Sequence, residues 1–123
     1  MNETEGTLAI SAHPSPGGPV VLRLAGELDH HTGASLGRAV EDLLHGPGSG
    51  AGIVADLSRL YYCDSTGITA IITAHDRARA AGSAFCVAAP SPALAQLFRM
   101  TGLDQVLTFH PSVQDAVDAL SSH

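Results

Sequence analysis

The sequence predicts an α/β domain: a single mixed β-sheet, opened by an N-terminal hairpin and continued by parallel strands, with about four flanking helices. Three observations predict it. Short aliphatic and β-branched runs alternate with segments of helical periodicity, in the order β-β-α-β-α-β-α-β-α. The later runs are apolar without alternation, as expected of strands covered on both faces. The helical segments are bounded by cap and breaker residues. Such alternation calls for parallel strands joined by right-handed crossovers.

Residues 8–11 and 20–24 flank a dense run of turn formers, His13-Pro14-Ser15-Pro16-Gly17-Gly18-Pro19, and read as a hairpin whose second strand ends at Gly26. Asp29 or Thr32 caps a first helix, in which Leu36, Ala39, Val40, Leu43 and Leu44 fall on one face. Gly46-Pro47-Gly48-Ser49-Gly50 stops it and forms a loop. Residues 53–57 form a buried-type strand. Asp64-Ser65-Thr66-Gly67 then opens a second helix, with Ile68, Ile71, Ile72 and His75 on one face, Ala70 and Ala74 broadening it, and Gly82 at C′. Residues 84–88 form the next strand. Ser91 caps a third helix with Pro92 at its first position, and Leu94, Leu97 and Phe98 form its stripe before Gly102 ends it. Residues 106–109 are a short strand, and Pro111-Ser112 starts a last helix with Val113, Ala116, Val117 and Leu120 inward. Residues 1–6 are expected to be a flexible N-terminus, 7–120 the domain and 121–123 a tail, with no repeat, linker or second domain.

At 123 residues the chain suits one domain that needs no disulfide, metal or partner merely to fold. Twelve acidic against six basic residues, a formal charge of −6, argue against direct nucleic-acid binding and against an anionic membrane surface. Cys63 and Cys86 form no CxxC pair and read as reduced, buried thiols of a cytosolic protein. The first six residues lack a basic and apolar signal pattern, and no run approaches the ~20 apolar residues of a membrane span. The expected location is the cytoplasm.

Read from spacing alone, Asp64-Ser65-Thr66-Gly67 is either a helix-cap cluster or an exposed hydroxyl at a helix N-terminus, where the dipole would tolerate an added phosphate. Gly67 would let another chain's backbone approach closely. Ser65 lies in no GxSxG elbow and no histidine stands in a triad context, so nucleophilic catalysis is not expected. His30 and His31, as adjacent residues, should point apart, and no further ligands accompany them; no metal is expected. The glycines of residues 46–50 lack the lysine of a phosphate cradle, and no dinucleotide fingerprint occurs, so no cofactor is expected. Glu27, Asp29, Asp56 and Asp64 are candidates for one acidic end of the sheet, suited to a basic protein partner.

Three motifs, in order and with compatible gaps over roughly residues 7–120, resemble the STAS-domain anti-sigma factor antagonists. They are Gly26-Glu27-Leu28-Asp29-His30-His31-Thr32, then Asp56-Leu57-Ser58 followed by Asp64-Ser65-Thr66-Gly67-Ile68, then Ser91-Pro92-Ala93 with Leu97-Phe98 and Thr101-Gly102-Leu103. The resemblance implies a STAS fold in a partner-switching circuit. The unphosphorylated protein would bind an anti-sigma factor that is also a serine kinase, and so free a sigma factor. The kinase would then phosphorylate Ser65, with Thr66 the lesser candidate, and a serine phosphatase would reset the switch. Asp29 and His30 of the loop would contact the kinase together with Asp64, Ser65, Thr66 and Gly67, and Asp64 would position the serine. No catalytic, metal or cofactor site is implied. A STAS subunit of a stressosome or of a lipid-transport ATPase complex is the alternative, and a small enzyme the alternative of a different class. The proline-rich turn and Tyr61-Tyr62-Cys63 depart from the family's pattern, and Tyr61 should add exposed aromatic surface.

Overall fold

The computed structural model describes residues 2–5, 7–46 and 52–121. Its elements are β1 (Asn2–Glu5), β2 (Leu8–Pro14), β3 (Val20–Leu28), α1 (Gly33–His45), β4 (Ile53–Cys63), α2 (Ser65–Ala80), β5 (Phe85–Ala88), α3 (Pro92–Met100), a 3₁₀ turn (Leu103–Gln105), β6 (Phe109–His110) and α4 (Val113–Ser121). The strands lie side by side in chain order. β1, β2 and β3 are antiparallel, and β3 through β6 are parallel. This is the mixed sheet with four helices that the sequence predicts.

Side-chain alternation along the strands sorts the core into two layers. Leu22 and Leu24 of β3, Ile53 and Ala55 of β4, and Phe85 and Val87 of β5 face Leu36 and Val40 of α1, Ile71 and Ala74 of α2, and Leu94 and Phe98 of α3. The intervening Val21, Val54, Cys86 and Ala88 face Ala116, with Val113, Val117 and Leu120 packed around it. Three helices therefore cover one face and α4 part of the other. Each fully buried Leu or Phe contributes roughly 1.5–3 kcal/mol.

Helix ends obey local rules. Ser91 Oγ accepts from Leu94 N at 3.2 Å, with Pro92 at the first helical position. α2 closes in a Schellman motif: Ser83 N donates to Ala78 O at 2.8 Å and Gly82 N to Arg79 O at 3.0 Å, with Gly82 at φ 75. Both cysteines are buried and free.

Four expectations need correction. Asn2–Glu5, expected to be flexible, pairs with β2 in register Asn2↔Ser11 to Glu5↔Leu8. The strand expected at 106–109 is displaced: Leu103–Gln105 form a 3₁₀ turn, Val106 is exposed, and only Phe109–His110 pair with β5. The β3 strand does not stop at Gly26; it runs through it at φ 117, where only glycine fits, since a Cβ would strike the Thr7 carbonyl. Finally, β4 does not stop at Leu57 but continues to Cys63. Of the loop expected at residues 46–50, only Gly46 is among the described residues, and residues 122 and 123 of the expected tail are not; Ser121 belongs to α4.

Two β-bulges explain the length of β4. Between the pairs Arg23↔Asp56 and Ala25↔Arg59, and again between Gly26↔Leu60 and Glu27↔Tyr62, β4 carries one residue more than β3. The extra residues let Leu57, Leu60 and Cys63 all point into the core at a spacing of three. They also leave Tyr61 and Tyr62 outward together, 68% and 47% exposed.

Candidate functional site

The bulged end of β4 delivers Asp64 to the start of α2. Asp64 is extended, at φ −101 and ψ −172, and its Oδ1 accepts from Gly67 N at 2.9 Å, the geometry of an N-cap. Ser65 and Thr66 are therefore the first two helical residues. Their backbone N–H groups belong to the orphan donors at the positive end of the helix dipole. Both side chains are exposed, and neither hydroxyl has a hydrogen-bond partner among the described residues; the Ser65 carbonyl accepts from Thr69 Oγ1 at 3.1 Å.

The loop between β3 and α1 lies alongside. Asp64 N donates to Leu28 O at 3.3 Å. Gly67 is buried, and a Cβ on it would collide with that same Leu28 carbonyl and come within 2.8 Å of Cys63 Sγ. The close approach that the glycine permits is thus to a loop of its own chain, which corrects the expectation that it opens a path for another chain's backbone.

Within that loop Asp29 is a stitch. Its Oδ1 accepts from His31 N at 2.9 Å, Thr32 N at 3.2 Å and Thr32 Oγ1 at 3.2 Å. Thr32, fully buried, also accepts from Asp29 N at 2.9 Å and donates to Glu27 O at 2.9 Å. Partial desolvation pushes the Asp29 carboxyl up, but the hydrogen bonds from His31 and Thr32 and the His31 charge outweigh it and hold it below its ordinary value. Oδ2 of Asp29 takes no hydrogen bond among the described residues. His30 and His31 are exposed and do not point apart: their rings lie 3.9 Å apart, because the chain turns between them.

A groove of about 460 Å³ runs between α1 and α2 from this point. It begins at His30 and Thr66, has Gly33, Gly37 and Ala70 along it, and ends at Glu41 and Arg77. Small residues keep the two helices close, and their spacing along α1 is what the sequence offers as a trace of the groove.

Asp56 does not join an acidic end. It is 2% exposed, its Oδ2 accepts from Arg23 Nε at 3.2 Å and its Oδ1 from Ser58 N at 2.9 Å, so it is spent inside the sheet. Glu27, Asp29 and Asp64 remain at the ends of β3 and β4. Cys63, one residue before the cap, is buried: burial, with the Asp64 charge added, pushes its thiol up to about 12, against the lowering that a helix N-terminus usually brings. Among the described residues no group of three or more His, Cys, Asp and Glu could hold a metal ion, and no helix is long and apolar enough to cross a membrane.

Sequence reasoning singles out Asp29, His30, Asp64, Ser65 and Thr66, and the structure places the two loops that carry them side by side. It missed Thr32 as the buried hub, and it missed Leu28 and Cys63 as the surfaces that dictate Gly67.

The chain is similar to several known proteins. An anti-sigma F factor antagonist of Paenibacillus polymyxa is 26% identical over 103 residues, spanning 84% of this chain and 87% of its own. An anti-sigma factor antagonist from Mycobacterium paratuberculosis superposes with a TM-score of 0.79 at 24% identity, over 93% of this chain and 94% of that one. The antagonist SpoIIAA in its unphosphorylated form superposes at 0.73 with 23% identity, over 93% of this chain and 97% of its own, and its phosphorylated form, from Bacillus, at 0.66. The structural likenesses establish the fold, and residues 11–108 match the family model described as "Mlab, STAS domain": the chain belongs to the STAS domain family.

Proposed function

We propose that this protein is an anti-sigma factor antagonist that works by partner switching and is itself no enzyme. Unphosphorylated, it binds in the cytoplasm an anti-sigma factor with serine kinase activity, through Asp29, His30, Asp64, Thr66 and the α1–α2 groove beside them, and the sigma factor is released. The kinase then moves the γ-phosphoryl group of ATP to Ser65: Oγ bonds to phosphorus, the bond to the ADP oxygen breaks, and the hydroxyl proton passes to a base of the kinase. A serine phosphatase reverses the modification.

The observation that carries this reading is the Ser65 hydroxyl: exposed, without a hydrogen-bond partner among the described residues, and on the first residue of a helix whose cap is supplied by its neighbour Asp64. The named relatives, all anti-sigma factor antagonists, support it. A phosphate there adds about −1.5 to −2 charges and faces the helix dipole, so the fold tolerates it. The partner surface does not. Asp64 and Asp29 already make it acidic, and like-charge juxtaposition can cost several kcal/mol, with each ~1.4 kcal/mol a factor of ten in affinity.

The test is incubation with the cognate kinase and ATP, then mapping of the modified residue and binding measurements before and after. Phosphate on Ser65, a hundredfold or greater loss of affinity, and permanent binding by Ser65→Ala are expected. Phosphate on Thr66 alone, or equal binding by both forms, overturns the switch. Equal binding would favour a constitutive subunit of a stressosome or of a lipid-transport ATPase complex.

A further inference from the structure

A second concave site lies away from Ser65, against α3 and β6. It is a cavity of about 390 Å³, within the range of small-molecule pockets, roughly 300–1,000 Å³. Phe98 of α3 and Phe109 of β6 line it, their rings 5.4 Å apart and tilted by 38°. Ala95 lines it too, one turn of α3 before Arg99. Three ionisable side chains border it from three different elements: Arg99 of α3, Asp104 of the 3₁₀ turn and His110 at the end of β6. None of the three side chains makes a hydrogen bond or ion pair among the described residues.

Two features of the backbone set this cavity apart from a chance dent. It lies beyond the C-terminal ends of the parallel strands β5 and β6, between Pro90 and Pro111. The chain also leaves β5 through a strained residue: Ala89 has φ 57, the one non-glycine positive φ among the described residues, and its N–H is held by His110 O at 2.9 Å. The next residue, Pro90, lines the cavity. Strain of this kind gathers where a structure holds a ligand.

We infer that this cavity binds a small aromatic carboxylate. Phe109, half-buried, offers apolar ring surface to a flat ligand, with Phe98 packed behind it in the core. The Arg99 guanidinium, free of any internal partner among the described residues, matches a carboxylate in a bidentate pair. Asp104 accepts from a ring N–H and, by repulsion, discriminates against dianions such as phosphate esters. The site is separate from the Ser65 surface and does not depend on the partner-switching reading.

The experiment titrates the full chain, ¹⁵N-labelled, with indole-3-carboxylate, with indole and phenyl phosphate as comparison probes. Saturable amide shifts centred on Ala95, Arg99 and His110 are expected, with the carboxylate binding about tenfold tighter than either comparison probe. Arg99→Gln, at an exposed position, should erase the advantage over indole. Ala95→Leu should fill the cavity and abolish both while the melting temperature holds. If Ala95→Leu unfolds the chain, Arg99→Gln alone carries the test. Shifts that do not saturate or lie elsewhere, or an Arg99→Gln variant that binds the carboxylate as the parent does, overturn the assignment.

Discussion

At the start of α1 and at the start of α2 an aspartate is followed within three residues by a threonine, and the two loops touch through Leu28. Their hydroxyls nevertheless meet opposite fates. At α1 the side chain of Asp29 folds back on its own loop, and Thr32 Oγ1 is buried within a closed set of bonds to Asp29 and Glu27. At α2 the side chain of Asp64 is spent on Gly67 N, three residues along, and the two hydroxyls between them are left in solvent. The same residue types thus make a closed hydrogen-bonded loop in one place and an exposed hydroxyl surface in the other. What decides is backbone geometry: Asp64 is extended, whereas Thr32 already has a near-helical backbone and makes no side-chain cap bond to α1.

The largest way to break this comparison is at the contact between the loops. In an exposed helix Gly→Ala stabilises by about 1 kcal/mol. At Gly67 the added methyl meets the Leu28 carbonyl and Cys63 Sγ, so overpacking should dominate, and Gly67→Ala should lose about 1–3 kcal/mol in urea denaturation. A gain in stability would mean that the loops do not abut.

The hydroxyls themselves give the next contrast. Thr32→Val keeps the shape and removes the hub, leaving Glu27 O and Asp29 N without their partner, at a cost of about 1–3 kcal/mol. Ser65→Ala removes a hydroxyl that bonds to nothing within the described chain, and stability should stay within about 0.5 kcal/mol. Chemical denaturation of both variants side by side measures the difference. Equal losses would place Ser65 in the fold rather than on the surface.

What is legible in the sequence divides along the same line. The Asp64 cap, the Ser91-Pro92 start of α3 and the Gly82 stop of α2 are local rules, readable from a few consecutive residues, and the structure contains all three. The Ser65 hydroxyl is legible as one of two readings, because an N-cap at Asp64 sets the backbone of the residues immediately after it. Thr32 as a hub, and Gly67 as a packing glycine, are not legible, since each depends on Leu28 or Glu27 reached only through folding. The second half of β4 is hidden because its two bulges break the period of two on which strand reading rests. β1 is hidden because Asn2-Glu3-Thr4-Glu5 has no apolar pattern and is defined only by pairing with β2.

The smallest effect expected is electrostatic and isolates the Asp29 stitch. Its carboxyl sits below its ordinary value of 3.8 in the folded protein, because desolvation is outweighed by the donors from His31 and Thr32 and by the His31 charge. Linkage gives the sign: a carboxyl with a depressed folded pKa adds stability that is present above 3.8 and is lost as pH falls below that value through the folded pKa. Asp29→Asn keeps an acceptor oxygen and removes the charge. The variant should therefore melt slightly below the parent at neutral pH, and the two should converge as pH falls below 3.8, where the parent's carboxyl protonates. Added salt should narrow the gap at neutral pH, since the group lies at the surface and its charge is screened. Melting temperatures of both proteins across the acid range decide the matter. A gap that stays constant through the acid range would mean that the start of α1 is held by the shape of the Asp29 side chain and not by its charge.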